Sequence, residues 1–339
     1  MFAVIDCGTT NTKVYIVDNY NKIIGKGYRK VGVRNTSMTG SKEMLREGVS
    51  EAILEAIKDA KLELSDIEFA IASGMITSEI GLMEIPHLIA PVGLEELAEN
   101  IEIVDGGKVI PLDIPIVFIR GVRNNYGDNA VLQNIRNVDF MRGEETQVIG
   151  CIEEYQINQP TNFMVLSSHT KLIHTNNKQK IVASLTTISG QLYEAIMKET
   201  MVGKSLIENH DEVSGGHSFE EVASIAAQTV NEAGLDRCLM IPRFMQVLLT
   251  TDYKERNLFI DAAIAVDDMK CITEFESQGY FVDRFIILGH ANRCQIYSYF
   301  LKQKYGEKIK IQTISDKKTL GELTVKGAIT IANKYKQFI

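Results

Sequence analysis

The chain opens with the stretch Phe2-Ala-Val-Ile-Asp-Cys-Gly-Thr-Thr-Asn-Thr-Lys-Val-Tyr-Ile-Val17, which decides the fold. Its β-branched and aromatic residues predict two strands joined by the polar turn Gly8-Thr-Thr-Asn11. Glycine lets the backbone come close to a ligand, and successive backbone N–H groups with threonine and asparagine side chains can bind an anion. Asp6, at the end of the first strand, could hold Mg²⁺ through water. An ordinary hairpin with a glycine turn is the alternative.

Length and composition are those of a globular protein of about two domains. The 339 residues are 45% hydrophobic, and 36 basic against 44 acidic side chains give a net charge of −8. This balance argues against a broad surface for nucleic acid or anionic membrane. No apolar run is long enough to span a bilayer, and the strand predicted to begin at Phe2 leads us to expect no secretory leader. The five cysteines form no C-x-x-C pair, which predicts reduced thiols in a cytoplasmic protein and neither disulfides nor a zinc site.

The first half continues as an α/β unit. Lys22–Lys30 predicts a third antiparallel strand, and Met44–Leu62 predicts an amphipathic helix. Ile67–Ser73 predicts a buried strand, followed at its carboxyl end by Gly74-Met75-Ile76-Thr77-Ser78. Ligands of open α/β sheets lie beyond the carboxyl ends of the strands, so this segment is a candidate substrate pocket. A plain strand–helix turn is the alternative.

Two arginines follow the next predicted strand, Ile114–Ile119. Guanidinium groups bind carboxylates bidentately, so Arg120 or Arg123 could hold an anionic group of a substrate. Solvated loop arginines are an equally good interpretation.

Two adjacent glutamates, Glu144 and Glu145, lie in the first turn of a helix predicted to run to about Tyr155. Carboxylates are favoured there by the helix dipole, which is a sufficient structural reason for them. The functional alternative is that one of them takes the proton of a substrate hydroxyl or orders water bound to magnesium.

The segment Phe163-Met-Val-Leu-Ser-Ser-His-Thr-Lys-Leu-Ile173 repeats the opening pattern. Both segments read Phe, any residue, Val, a branched aliphatic, a polar turn, then Thr-Lys and an aliphatic. A third strand-like run, Lys180–Ile188, follows here as Lys22–Lys30 follows in the first half. Two such three-strand meanders predict a duplicated α/β unit. Two facing turns, one from each copy, could grip a polyphosphate from both sides.

The remainder predicts mainly helices, together with a late strand that ends in glycine. Phe285–His290 is a short apolar strand ending at Gly289, and Asn292–Lys302 is a helix. A strand, a glycine and a helix in this order suit the adenosine part of a nucleotide. The other predicted elements are helices at Gly190–Thr200, Phe219–Gly234, Leu239–Thr250 and Lys318–Lys334, and a strand at Ile309–Ile314.

Two of these segments resemble a known family. Asp6-Cys-Gly-Thr-Thr-Asn-Thr-Lys13 resembles the first phosphate motif of the superfamily that joins sugar kinases, heat-shock chaperone ATPases and actin. Met141-Arg-Gly-Glu-Glu-Thr-Gln147 resembles, more specifically, the signature of 2-keto-3-deoxygalactonate kinases, also called 2-dehydro-3-deoxygalactonokinases. Gly74-Met75 and His169-Thr-Lys171, each after a strand, occur in matching order.

The resemblance implies an α/β protein with two ribonuclease-H-like lobes, each a three-strand meander plus helices, around a nucleotide cleft. Residues 1–157 would carry the first phosphate loop and the substrate pocket, and residues 158–339 the second phosphate loop and the adenosine region. It implies ATP, Mg²⁺ and phosphorylation of the terminal hydroxyl of a small-molecule sugar acid, 2-dehydro-3-deoxy-D-galactonate. No residue pattern specifies the oligomeric state, and a homodimer is one of the alternatives.

Site residues follow from the resemblance and from the arginines above. The expected catalytic residues are Glu144 and Glu145, and the expected metal-binding residue is Asp6. The expected nucleotide-binding residues are Asp6, Gly8, Thr9, Thr10, Asn11, Lys13, Ser168, His169, Thr170, Lys171 and Gly289. The expected substrate-binding residues are Gly74, Met75, Ser78, Arg120, Arg123 and Arg142.

The sequence departs from the family pattern in three places. The second loop has Ser167-Ser168 where the family usually carries glycine, the adenosine region has a single glycine, Gly289, and Cys7 stands where tryptophan is frequent. These departures keep two alternatives open. One is a kinase for another small sugar or sugar acid, and the other is a non-kinase ATPase switch of the same superfamily. No residue pattern specifies the stereochemistry of the substrate.

Overall fold

A computed structural model describes residues 1–127, 131–209 and 212–337 of the chain. Its strands are β1 Phe2–Cys7, β2 Thr12–Val17, β3 Ile23–Arg29, β4 Phe69–Gly74, β5 Leu88–Ile89, β6 Glu102–Val104, β7 Ile116–Phe118, β8 Val122–Arg123, β9 Phe140–Met141, β10 Thr161–Leu166, β11 Thr170–Thr175, β12 Ile181–Thr187, β13 Arg284–Gly289 and β14 Lys310–Ile314. Its helices are α1 Val33–Thr39, α2 Glu43–Asp59, α3 Leu94–Glu99, α4 Gly106–Val109, α5 Glu144–Glu154, α6 Ser189–Glu199, α7 Phe219–Ala233, α8 Leu235–Leu248, α9 Tyr253–Ser277, α10 Ala291–Tyr305 and α11 Lys317–Tyr335. Short 3₁₀ turns lie at Leu64–Asp66, Met75–Thr77, Leu132–Asn137, Met201–Ser205 and Gly306–Lys308. Each described helix is too short or too polar to span a bilayer.

The chain forms two compact units. The first contains Met1–Pro160, His174–Ser184 and Lys318–Ile339, and the second contains Thr161–Ile173 and Leu185–Lys317. This grouping differs from the predicted division into 1–157 and 158–339, because α11 and the segment His174–Ser184 belong to the first unit. Helix α11 packs closely on α5, where a Cβ on Gly327 would lie only 1.9 Å from the carbonyl oxygen of Thr146.

The first unit contains a six-stranded sheet in the order β3-β2-β1-β4-β7-β6. Strand β1 pairs antiparallel with β2 and parallel with β4, which places Asp6 opposite Lys13 on one side and Ser73 on the other. Alternate residues of β1, including Ala3 and Ile5, point into an apolar core with α2. Since side chains alternate along a strand, Asp6, Lys13 and Ser73 share the opposite face of the sheet.

A second sheet has the strand order β12-β11-β10-β13-β14. Strands β10 and β13 are parallel, with Leu166 opposite Gly289. Both predicted meanders are present, and with them the predicted α/β class is confirmed. The helices predicted around the second meander are also present, with ends that differ by up to four residues.

The sequence prediction omitted four of the described helices, the short α1, α3 and α4 and the long α9. Helix α9 is the longest described helix, with 25 residues. Its buried residues include both apolar side chains and the charged Glu255, Arg256 and Asp268, and it packs against α6, α7, α8 and α10. A helix with neighbours on several sides lacks the single apolar stripe on which a periodicity argument depends. The sequence signal for the start of α9 is its capping box, formed by Asp252 and Glu255.

Candidate active site

The first hairpin turn presents free backbone donors. It closes through the Gly8 N–H, which donates to the Asn11 carbonyl at 3.0 Å. The first two N–H groups of α1 donate to the carbonyls of Gly8 and Thr9, at 3.2 and 2.9 Å. Helix α1 approaches this closely because Gly32 has no side chain; a Cβ there would lie 2.5 Å from the Thr9 oxygen. In the described part of the chain no acceptor pairs with the N–H groups of Thr9 and Thr10, which are both exposed. These groups can therefore bind an anion.

Asp6 lies just before this turn, on a polar strip of the sheet. Burial raises the pKa of its carboxyl group, and the positive charge of Lys13 lowers it. The adjacent Ser73 hydroxyl is buried and has no hydrogen-bond partner among the described residues. Buried polar groups are nearly always paired, so this unpaired hydroxyl beside a carboxylate suits a hydrated ligand. No described group of three His, Cys, Asp or Glu side chains could hold a metal directly. A single carboxylate such as Asp6 can hold Mg²⁺ through water, because Mg²⁺ keeps several of its waters in protein sites.

The turn after β4 and the start of α5 meet beside the end of β1. Gly74 and Gly143 have φ angles of +90° and +109°, which only glycine adopts readily. A Cβ on Gly74 would lie 2.8 Å from the Cys7 oxygen, and a Cβ on Gly143 would lie 3.2 Å from the Gly74 Cα. Three segments that were singled out separately in the sequence are thus brought together in the first unit.

The two adjacent glutamates have different environments. Glu145 is completely buried, and both of its carboxylate oxygens accept the Gly143 N–H, each at 2.8 Å. Burial, and secondly the charge of Glu144, raise the pKa of Glu145 to about 7. Glu144 is only partly buried. A ligand can therefore reach Glu144, while Glu145 fixes the first turn of α5.

Two of the predicted substrate residues are engaged within the protein. The half-buried Arg142 donates to the Thr77 hydroxyl at 2.8 Å and to the Ile85 carbonyl at 2.9 Å, and burial lowers its pKa. Ser78 is buried, and its hydroxyl donates to the Met75 carbonyl at 2.7 Å. Both residues hold the turn after β4, so the surface that it offers to a ligand comes mainly from Gly74, Met75 and the backbone.

The other two predicted arginines have partners of their own. Arg120 pairs with Glu102 at 2.7 Å, which neutralises much of its charge. The Arg123 guanidinium lies 4.4 Å from the centre of the Tyr126 ring, in a cation–π contact. Their assignment to a substrate carboxylate stays a prediction.

The second hairpin turn has its polar groups arranged differently. Ser168 is exposed and His169 partly exposed, but Thr170 and Lys171 are buried. The Lys171 ammonium donates to the Thr186 hydroxyl at 2.7 Å, across the sheet to β12. Its predicted contact with phosphate would require that hydrogen bond to change. The turn itself lies against the start of α6, where a Cβ on Gly190 would be 2.1 Å from the Ser167 oxygen.

A cavity of about 800 Å³ lies beside the second turn, within the second unit. Its walls combine aromatic rings with polar side chains, as a site for a nucleoside requires. Asp261, one of these residues, has its pKa raised to about 6 by burial, against the attraction of Arg293 and His290. The residues that line the cavity include Ser167, Ser168, Gly190, Tyr193, Phe219, Tyr253, Asn257, Asp261, His290 and Arg293.

The sequence analysis singled out residues at or next to this cavity, but it missed most of the side chains that line it. Gly289 does not line it; a Cβ on Gly289 would lie 2.7 Å from the Leu166 Cβ, so this glycine allows β10 and β13 to pair. The next residues, His290 and Arg293, do line it. The start of α10 after a glycine-ended strand was a usable signal. The aromatic residues were not foreseeable, because they come from α6, α7 and α9, far apart in the sequence.

Comparison with known proteins places the chain in a family. The sequence model of the 2-keto-3-deoxy-galactonokinase family matches residues 6–321. This chain belongs to that family. The resemblance drawn from the Met141–Gln147 signature is thereby confirmed.

Individual relatives of this chain are distant in sequence. It is 22% identical over 225 residues to a Rhizobium meliloti (strain 1021) protein named "Probable 2-dehydro-3-deoxygalactonokinase". That match covers 66% of this chain and 65% of the relative, slightly less than two thirds of its length. The crystal structure of a "putative 2-dehydro-3-deoxygalactonokinase protein" from Sinorhizobium meliloti has a TM-score of 0.72 and 18% identity, over 98% of each chain. The two proteins therefore share a fold.

Proposed function

We propose that this protein transfers the γ-phosphoryl group of ATP to the terminal hydroxyl of 2-dehydro-3-deoxy-D-galactonate. The observation that carries the proposal is the convergence of the Asp6 strand end, the Gly74 turn and the start of α5, with one accessible and one buried glutamate. Membership of the 2-keto-3-deoxy-galactonokinase family supports the same reaction. Phosphoryl transfer depends on positioning and on charge stabilisation, and this group of residues can supply both.

Glu144 is the proposed general base. A glutamate can take a proton only if the substrate hydroxyl reaches it, and Glu144 is the accessible member of the pair. Glu145 is the proposed positioning residue, because its two bonds to the Gly143 N–H fix the turn that presents Glu144. Transfer of the hydroxyl proton to Glu144 would leave the substrate oxygen as a nucleophile for the γ-phosphorus, and the bond from that phosphorus to the bridging oxygen of the β-phosphate would break to release ADP.

Asp6, with the unpaired Ser73 hydroxyl beside it, is the proposed anchor for magnesium-bound water. Mg²⁺ supplies charge neutralisation on the phosphate oxygens when it is bound. The exposed N–H groups of Thr9 and Thr10 add donors for phosphate oxygens. Lys13, on the neighbouring strand, adds a positive charge close to Asp6.

The cavity of the second unit is the proposed nucleoside site. Tyr193, Phe219 and Tyr253 offer rings for the base, and Asn257 and Asp261 offer polar groups. The exposed part of the second turn, Ser168 and His169, is the proposed contact for phosphate. Thr170 is proposed to act from beneath the turn, since it is buried.

The proposed substrate pocket begins at Gly74 and Met75. Arg142 supports that pocket from behind through its bonds to Thr77 and Ile85. The substrate class is a sugar acid, and the carboxylate partner proposed from charge remains Arg120 or Arg123. Either would have to release part of its present contact, with Glu102 or with Tyr126.

The test is release of ADP from ATP and Mg²⁺, coupled to a spectroscopic assay, with purified protein. It is run with 2-dehydro-3-deoxygalactonate, with the gluconate epimer, and without either. Stimulation by the galactonate form alone is the expected result. Equal stimulation by both epimers would mean a sugar-acid kinase of loose specificity. ATP hydrolysis that no sugar acid stimulates would overturn the proposal in favour of an ATPase switch.

A further inference from the structure

Arg293, on α10, holds both ends of the second hairpin turn. One guanidinium nitrogen donates to the Ser167 carbonyl at 3.2 Å, and another donates to the Thr170 hydroxyl at 3.0 Å. Ser167 precedes the turn tip and Thr170 follows it, 126 and 123 residues away from Arg293 in the sequence. A planar guanidinium suits this task because its donors have a fixed separation and direction.

Arg293 is itself held from below by Tyr297, one helical turn further along α10. The same guanidinium nitrogen that contacts Thr170 lies 3.3 Å from the Tyr297 oxygen. The Tyr297 hydroxyl donates to the Asp268 carboxylate at 2.5 Å. Both residues are buried, with 1% and 6% of their surface exposed. A charge-assisted hydrogen bond in such surroundings is strong and leaves Tyr297 little freedom.

Asp268 also fixes the opposite wall of the turn. The Ser189 hydroxyl donates to its carboxylate, at 2.5 and 2.6 Å to the two oxygens. Ser189 precedes Gly190, whose backbone lies directly against Ser167, and the Gln191 N–H donates to the Ser168 carbonyl at 2.8 Å. One buried carboxylate thus orients both the arginine above the turn and the helix start beside it.

We propose that Arg293, oriented by Tyr297 and Asp268, is a positioning residue that keeps the Ser167–Thr170 turn in the conformation that binds nucleotide phosphates. The inference rests on the proposed function, because it assigns the turn to the nucleotide of that reaction. The turn contains no glycine, so its shape depends on side chains that clamp it from outside. A turn ordered before binding spares the nucleotide the cost of ordering it.

The central variant is Tyr297→Phe, which removes only the hydroxyl between Asp268 and Arg293. Tyr297 is too buried to touch a nucleotide, so any effect must reach the turn through Arg293 or through the Thr170 hydroxyl, which also hydrogen-bonds Tyr297. The matched control is Tyr299→Phe, the same change on the same helix, where the hydroxyl lies 3.4 Å from the exposed Ser224. We expect Tyr297→Phe to raise the KM for ATP about tenfold, the loss of one hydrogen bond to a charged group. The KM for the sugar acid and the kcat stay unchanged, and the control behaves as the wild type.

A second pair of variants, Arg293→Lys and Arg293→Gln, separates geometry from charge. Lysine keeps the charge but cannot bridge both ends of the turn. We expect both variants to lower the affinity for ATP by a similar factor. Thermal unfolding of each variant shows whether it is folded. If Arg293→Lys kept the wild-type affinity for ATP, the proposed positioning role of Arg293 would be wrong, and only the effect of its charge would remain.

Calorimetric titration with ATP and with adenosine distinguishes this proposal from the proposed function. Loss of ATP affinity in Tyr297→Phe with unchanged adenosine affinity is the supporting result, even if no sugar acid is phosphorylated. Equal affinities of wild type and variant for ATP would overturn the clamp while kinase activity stands. Failure of the wild type to bind ATP would overturn both.

Discussion

The two hairpin turns connect strands of the same sequence pattern but are stabilised by different contacts. The turn of the first unit is Gly8–Asn11, and the turn of the second unit is Ser167–His169. The first is fixed by its own backbone and by the start of α1, two elements away in the sequence. The second is fixed by Arg293 and by the close approach of Gly190, both from later elements. A repeated sequence motif therefore predicts a repeated path of the chain without predicting what stabilises it.

This difference agrees with the separate roles proposed for the two units, the chemical step for the first and nucleoside binding for the second. The first turn lies on the strand that carries Asp6, in the unit that also contains Glu144. The second turn borders the cavity, whose walls come from helices of its own unit. Substitutions in the first unit should therefore change the chemical step, and substitutions around the second turn should change nucleotide binding.

Glu144→Gln gives the largest expected effect. We expect kcat to fall by about 10²–10⁴, the usual loss when a general base is removed. The KM for ATP should stay near the wild-type value, since the proposed contact of Glu144 is with the substrate hydroxyl and not with the nucleotide. Steady-state kinetics with both substrates varied checks this. Full turnover in the variant would contradict the assignment of Glu144 as the general base. A large change in the KM for ATP would contradict the separate roles proposed for the two units.

Asp6→Asn should give the next largest effect. The Mg²⁺ concentration for half-maximal activity should rise by about 10–100-fold, as for loss of an outer-sphere carboxylate. The fold should be retained, because the amide nearly preserves the shape of the side chain and removes a charge whose burial is unfavourable. Ser73→Ala is the companion variant, with a smaller shift in the same direction. An unchanged Mg²⁺ dependence in Asp6→Asn would exclude Asp6 from the site.

Alanine at Gly190 and at Gly8 should have opposite effects on stability. A Cβ on Gly190 would lie 2.1 Å from a carbonyl oxygen, so the turn or α6 must move, at a cost of about 1–3 kcal/mol. A Cβ on Gly8 would have its nearest contact at 3.8 Å, and alanine there should be neutral or stabilising by up to about 1 kcal/mol. Urea unfolding measures both. Similar losses in the two variants would mean that the two turns are stabilised alike.

The sequence allowed the main elements to be predicted wherever the stabilising contacts are local. Hairpins, α2 and α5 are identified by alternation, by helical spacing and by first-turn acids. The same local reasoning singled out Asp6, Gly74 and the two glutamates, which lie on segments that the structure brings together in the first unit. It could not find α9, whose buried residues face several neighbours, nor Ser73, whose significance depends on its register with Asp6. Arg293 could not be found either, because the two turn residues that it contacts lie more than 120 residues away.

The smallest expected effect on activity, and a distinct one on stability, belongs to Glu145→Gln. Burial raises the pKa of Glu145 from its ordinary 4.5 to about 7. The folded protein therefore binds more protons than the unfolded chain between these values, and stability falls as pH rises from about 4.5 to 7. Above pH 7 this loss is complete, and it amounts to about 3 kcal/mol.

Glutamine cannot ionise, so the variant should lack this part of the pH dependence. Urea unfolding of wild type and variant at several values between pH 4.5 and 8 gives the difference between the two curves, in which other titrating groups cancel. Glu144→Gln is the matched control. It should keep most of the slope, because burial outweighs the charge of Glu144 in raising the pKa. If Glu145→Gln had the wild-type slope instead, Glu145 would be ionised at no cost in the folded protein. The distinction between a buried positioning glutamate and an accessible base would then fail, although Glu144→Gln alone could still identify the base by its loss of kcat.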